Sequence, residues 1–135
     1  MFFAHSIGGR DQDAWQPLAA HLEAVSRLTS LRAEKFLAAR LGAVIGLLHD
    51  LGKYAHEFQD YIAGRGPSPD HATAGAREIQ KLAAAAGPDR FAALIGAYCI
   101  AGHHAGLSNW SGERIAQTIS TFPFVTSWRS RAPAI

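Results

Sequence analysis

Apolar residues recur at helical spacing along most of the chain, and no segment shows the strict alternation of apolar and polar residues that is typical of a half-buried strand. The spacing predicts a series of helices over about residues 14–28, 33–51, 54–62, 71–86, 88–102 and 112–119. We find no internal repeat or low-complexity tract. The pattern therefore predicts a single all-α domain over residues 1–135, in which about 121–135 are irregular.

Start and stop signals mark several of these helices. Asp13 and Asp70 are placed to accept hydrogen bonds from the first backbone N–H groups of the helices that follow them, and Gly87 supplies a stop. The apolar stripes are expected to face the core, and they comprise Leu41, Val44, Ile45 and Leu48 in the second helix and Phe91, Leu94, Ile95 and Tyr98 in the helix over 88–102.

Composition narrows the class of protein only slightly. The chain has 135 residues, 48% of them hydrophobic, and a net charge of +2, which is too small to indicate a nucleic-acid partner by itself. Cys99 is the single cysteine, so an intramolecular disulfide and a multi-cysteine zinc site are excluded. No apolar run is long enough to span a bilayer, and the first residues lack the features of a signal peptide. We therefore expect a cytoplasmic protein with no membrane association.

The stretch from Gly46 to Lys53 carries the chemistry. His49 and Asp50 stand side by side at the end of a very apolar helix, where an unsatisfied polar group costs about 1–3 kcal/mol to bury. A bound cation would remove that cost, and a carboxylate at this position could bridge two ions. This interpretation requires further ligands elsewhere in the chain.

Histidines supply such ligands. Five of the seven lie at predicted helix ends or on inward faces, namely His21, His49, His71, His103 and His104. Imidazole suits Mn, Fe, Co, Ni and Zn, so a histidine-rich site with one bridging carboxylate is chemically sensible. Each residue also has a plainer interpretation. Taken alone, His21 is as well explained as a hydrogen-bonded core residue, His71 as part of a first helical turn, and the pair His103–His104 as a polar loop.

The order of these residues resembles a known family. The segments "GLLHDLGKY" around His49 and Asp50, "DHATAGA" around His71, and "HHAGL" from His103 are similar to the HD-superfamily nuclease domain of CRISPR type I interference proteins. The resemblance extends over about residues 2–110 and includes the opening Ala4-His5-Ser6. It implies a helical bundle of the HD type.

The resemblance also implies an activity and its partners. Members of this family are divalent-metal-dependent nucleases that degrade single-stranded DNA, fused to or beside a superfamily 2 helicase that an RNA-guided surveillance complex recruits. One or two ions of Mn, Ni, Co, Fe or Mg are implied. By position, the first ion is held by His21, His49 and Asp50, and the second by Asp50, His71, His103 and His104.

Other residues receive secondary roles. The resemblance places Lys53 near the metals, where it contacts a substrate phosphate or a metal-bound water; on sequence alone it is equally well a cation at a helix C-terminus. His5 and Thr73 are expected beside the ligands without binding an ion themselves, and His56 is expected on the surface.

The chain also departs from the family's pattern. The family has a further aspartate on a later helix, whereas here Glu113 is the only acid after Asp89. We therefore expect the family's C-terminal helices to be missing, one metal to be weakened, and exposed apolar surface to favour self-association. Two alternatives stay open: an HD phosphohydrolase acting on nucleotides, and a non-catalytic metal-binding remnant that docks to a helicase or surveillance complex.

Overall fold

Helices make up most of the fold, as the all-α prediction expected. A computed structural model describes residues 1–8, 11–87, 89–104 and 106. Its helices are α1 (Leu18–Ala33), α2 (Ala39–Leu48), α3 (His56–Ile62), α4 (Ala72–Ala86) and α5 (Arg90–Gly102), with 3-10 turns at Gln12–Ala14, Glu34–Phe36 and Leu51–Tyr54. These elements belong to one compact unit, Met1–Ala105. The predictions for residues 112–119 and 121–135 lie outside the described residues, and the single domain over 1–135 stays a prediction.

Helices α1 and α2 form an antiparallel hairpin that is held by two side-chain hydroxyls. The Thr29 hydroxyl donates to the carbonyl of Gly42 at 2.7 Å, and the Ser26 hydroxyl donates to the carbonyl of Ala43 at 2.8 Å. The same antiparallel register continues towards the start of α1 and brings His21 opposite His49. The packing of the hairpin therefore joins two of the predicted ligands.

A small antiparallel sheet lies at the N-terminus, where no alternation of apolar and polar residues indicates a strand. Strand β1 (Phe3–His5) pairs with β2 (Gln16–Pro17), and the amide of Leu18 donates to the carbonyl of Phe2 at 2.9 Å. Pro17 is extended and precedes α1 directly, so the helix begins later than predicted. Asp13 lies in a 3-10 turn and not at the start of α1, so its predicted role as the cap of the first helix is wrong.

The predicted apolar stripes are only partly buried. Phe91 is 69% exposed and Ile95 is 36% exposed, because α5 buries its small side chains, Ala93, Gly96 and Ala97, together with Ile100. Helix α2 behaves similarly: it buries Gly42, Gly46 and Leu48, whereas Val44 is 36% exposed. Small residues permit close approach of helix axes, and here that close approach decides which face is inward.

Helix α4 lies against the end of α2 at one very tight contact. A Cβ on Gly75 would collide with the carbonyl oxygen of Leu48, the residue just before His49. Glycine is therefore required where α4 crosses the chain that carries His49 and Asp50. Within the described residues, no helix has the length and apolar character needed to cross a membrane.

Candidate metal centre

Asp50 occupies the turn between α2 and the 3-10 segment that follows it. His49 is the C-terminal cap of α2, and Asp50 precedes the 3-10 turn Leu51–Tyr54. This change of helix type directs the Asp50 carboxylate into the protein, where the residue is only 3% exposed. Both carboxylate oxygens are surrounded by side chains from other elements.

The Oδ2 oxygen faces α1 and α2. His21 Nε2 lies 3.2 Å and His49 Nε2 lies 3.1 Å from Oδ2, and the two nitrogens are 3.3 Å apart. His49 Nδ1 donates to the carbonyl of Gly46 at 2.8 Å. This hydrogen bond fixes the ring and leaves Nε2 with a free lone pair, as is usual for a metal-binding histidine.

The Oδ1 oxygen faces the start of α4 and the end of α5. The Nε2 atoms of His71, His103 and His104 lie 3.6, 3.3 and 4.0 Å from Oδ1. His103 Nδ1 donates to the carbonyl of Ile100 at 2.6 Å, so its Nε2 also points inward, towards Asp50. His71 Nε2 and His104 Nε2 are 2.8 Å apart.

Two overlapping groups of ligand atoms result, and both contain Asp50. One comprises His21, His49 and Asp50, and the other comprises Asp50, His71, His103 and His104. These are the two sets that the sequence resemblance implied. The structure brings all six residues together, while their role as metal ligands stays a prediction.

The protonation states favour metal binding. Burial raises the pKa of Asp50, but favourable electrostatic contacts with His103, His49 and Lys53 outweigh this effect and hold the pKa far below its usual range. Burial lowers the pKa of His21 and of His104. Near neutral pH the carboxylate is therefore ionised and these two imidazoles are neutral, which are the forms that bind cations.

The geometry fits divalent ions on both sides of the carboxylate. Metal–ligand bonds of about 2.0–2.2 Å place neighbouring ligand atoms about 3–4 Å apart, which is the spacing found around both oxygens. Asp50 Oδ1 is also buried without a hydrogen-bond partner among the described residues. An orphaned buried carboxylate oxygen ringed by imidazole nitrogens matches the donor set of a metal site.

Comparison with known families decides the classification. Residues 18–119 match the HD domain family. The chain belongs to the HD domain family. A search of curated proteins found no match. HD domains as a family are metal-dependent phosphohydrolases, which agrees with the histidine and aspartate cluster of this one. Membership of the CRISPR nuclease branch stays a prediction.

Lys53 is buried in this HD domain and contacts Asp50. It is 3% exposed, its ammonium lies 2.9 Å from Asp50 Oδ2, and it donates to the carbonyl of Ala4 at 3.2 Å. The ammonium also lies 5.1 Å from the centre of the Phe58 ring. Lys53 is therefore an internal partner of Asp50, and its contact with a substrate phosphate stays a prediction.

The remaining predicted positions differ in their distance from the centre. The His5 ring meets the His21 ring edge to face, with centroids 5.2 Å apart, so His5 packs against a predicted ligand. Thr73 instead completes the cap of α4, where its hydroxyl and amide both donate to Asp70. The capping role of Asp70 is thereby confirmed, and His56 is exposed as predicted.

One residue that matters to the HD domain was missed. Gln59 on α3 accepts a hydrogen bond from the Phe3 amide at 3.0 Å and donates to the Phe3 carbonyl at 3.0 Å. It also donates to the carbonyl of Lys53 at 2.7 Å. Gln59 thus fastens strand β1 to the turn that carries Lys53. A single glutamine in a short helix gives no sequence signal for this role.

An open groove of about 810 Å³ leads to the centre. Its lining includes ligands of the Oδ1 side, together with polar and aromatic side chains, among them His5, Lys53, Tyr61, Asp70, His71 and His104. His21, His49 and His103 are not part of this lining. A substrate in the groove would therefore approach the centre from the side of His71 and His104.

Proposed function

We propose that this HD domain is a divalent-metal-dependent phosphodiesterase that cleaves single-stranded DNA in CRISPR type I interference. The observation that carries the proposal is the sharing of one buried carboxylate by two groups of histidines. A pair of ions about 3.5–4 Å apart is suited to phosphodiester hydrolysis. The sequence similarity of the three histidine-containing segments supports the choice of DNA as the substrate.

The residues of the chain prepare the site for this reaction. Divalent ions bound there would supply an activated water and would neutralise the charge that develops on the phosphoryl group. Asp50 and the surrounding imidazoles would hold those ions, and the carbonyls of Gly46 and Ile100 fix two of the rings. No serine or cysteine nucleophile is needed. The histidine-rich donor set favours Mn, Fe, Co or Ni over Mg.

The groove supports a strand as the substrate. Tyr61 is 40% exposed at its edge, where a base can stack on the phenol ring. His71 and His104 line the same groove, so a phosphate of a strand bound there could reach these predicted metal ligands. We extend the proposal to the partners that the resemblance implies: a superfamily 2 helicase, fused or separate, and an RNA-guided surveillance complex.

A second candidate function is the hydrolysis of nucleotides. A groove of about 810 Å³ lies within the range of small-molecule sites, so a mononucleotide also fits it.

A different observation supports the alternative of a non-catalytic metal-binding domain. Among the described residues, the group on the Oδ2 side comprises His21, His49 and Asp50, and no described aspartate takes the place of the one that the family supplies downstream.

Cleavage of labelled single-stranded DNA tests the proposal. The metal-stripped chain would be supplied with Mn, Ni, Co, Fe or Mg, and Asp50→Asn would be compared with Asp13→Asn, a change at an exposed carboxylate. We expect metal-dependent cleavage that Asp50→Asn abolishes and Asp13→Asn preserves. Hydrolysis of mononucleotides without DNA cleavage would favour the second function. Metal binding with no turnover on either substrate would favour the non-catalytic alternative.

A further inference from the structure

The two oxygens of Asp50 differ in what already binds them. Oδ2 receives the Lys53 ammonium at 2.9 Å in addition to its two histidines. Oδ1 accepts no hydrogen bond from any described residue, although three imidazoles surround it. Among the described residues, the permanent cation beside the carboxylate therefore lies on the side of His21 and His49.

A cation at Oδ2 opposes a second cation there. The ammonium occupies a lone pair that a metal would use, and like charges a few ångströms apart repel strongly in a buried site where the effective dielectric is low. Lys53 is only 3% exposed, so water does little to screen this repulsion. Within the part of the chain that the structure describes, no lysine or arginine lies beside Oδ1, and this side has one more histidine.

We propose that Lys53 is a built-in competitor for one half of the centre, so that the two ions bind in a fixed order. The Oδ1 side, with His71, His103 and His104, binds the first divalent ion. The Oδ2 side, with His21 and His49, binds the second ion more weakly. This inference rests on the proposed metal-dependent function, but it concerns the order and strength of ion binding and not the substrate.

The structure also provides a place for the displaced ammonium. Lys53 already donates to the carbonyl of Ala4 at 3.2 Å and lies 5.1 Å from the centre of the Phe58 ring. Both contacts can remain when the ammonium moves away from Oδ2, since a carbonyl and an aromatic face both attract a cation. Lys53 is therefore a positioning residue, and strand β1, which Gln59 holds in place, supplies its alternative partner.

Calorimetric titration of the metal-stripped full chain with MnCl₂ tests the order. We expect two binding steps in the wild-type chain. Lys53→Met should tighten the weaker step at least tenfold and leave the tighter step within threefold. The matched control is Lys81→Met, which removes an exposed lysine whose partner is Glu78 on the same helix, and both steps should be unchanged. An unchanged weaker step in Lys53→Met would overturn the proposal.

Two further variants keep the test decisive even if Lys53→Met fails to fold. His21→Ala should remove the weaker step and retain the tighter one, whereas His104→Ala should weaken the tighter one. The reverse assignment, with the tighter step lost in His21→Ala, would overturn the proposed order. None of these readouts depends on DNA cleavage, so an inactive chain that binds ions in this order would refute the proposed function alone.

Discussion

Replacing Lys53 by methionine should destabilise the metal-free protein strongly. The substitution keeps most of the length and apolar volume of the side chain but removes the ammonium that lies 2.9 Å from Asp50 Oδ2. The carboxylate then stays buried with histidines as its neighbours and with no permanent positive charge beside it. Both side chains are 4% exposed, so water cannot take the place of the ammonium.

The expected loss follows from the cost of an unpaired buried charge. Removing one partner of a buried ion pair typically costs about 3–5 kcal/mol. His103 offsets part of this cost, because the Asp50 carboxylate raises the pKa of His103 and favours its protonation. We therefore expect a loss of about 3 kcal/mol, a large share of a total stability that is about 5–15 kcal/mol for a typical domain.

Urea denaturation in the presence of a chelator measures this loss. Lys81→Met is the control, and its exposed ion pair with Glu78 should contribute less than about 1 kcal/mol. Saturating Mn²⁺ should restore much of the stability of Lys53→Met, because an ion at 100 times its dissociation constant adds about 2.7 kcal/mol. If Lys53→Met matched the wild-type chain in chelator, the ammonium would not be the partner that stabilises Asp50.

Two further predictions concern packing and protonation. Gly75→Ala should lower the free energy of unfolding, measured by urea denaturation, by about 1–3 kcal/mol, because the added Cβ would collide with the Leu48 carbonyl. The control Gly66→Ala places its Cβ in open space and should change the free energy of unfolding by less than about 0.5 kcal/mol. Equal losses in the two variants would contradict the tight contact. The Asp50 carboxylate raises the pKa of His103 in the folded protein. The contact between the two residues therefore stabilises the fold fully below the pKa that His103 has in the unfolded chain, and this stabilisation is lost as pH rises through the pKa that His103 has in the folded protein. Asp50→Asn should lower the pKa of His103 in an NMR titration of the metal-free protein, and an unchanged value would refute this cause.

The sequence predicts which residues come together around Asp50 because the chemistry of a metal site restricts the possible interpretations. Few residue types bind transition metals, and five histidines at predicted helix ends or on inward faces are difficult to explain as separate coincidences. Apolar spacing on α1 also places His21 on the inward face, and its side chain is only 15% exposed. These signals are local, so they can be found without knowledge of the fold.

Features that depend on contacts between distant segments could not be predicted. Phe91 belongs to an apolar stripe, yet it is 69% exposed because α5 packs through its small residues. Strand β1 is short and its pairing depends on Pro17 and on Gln59, which is 56 residues away from Phe3. The pairing of Lys53 with Asp50 likewise depends on a carbonyl of β1. Apolar spacing contains no information about such contacts.

The sharing of Asp50 by two ions is the central claim, and anomalous diffraction tests it most directly. Crystals of the full chain would be soaked in MnCl₂ well above both dissociation constants, and data would be collected near the manganese edge. We predict two peaks about 3.5–4 Å apart, one beside Oδ1 with His71, His103 and His104 and one beside Oδ2 with His21 and His49. Peaks away from Asp50, or a single peak at saturation, would contradict the account.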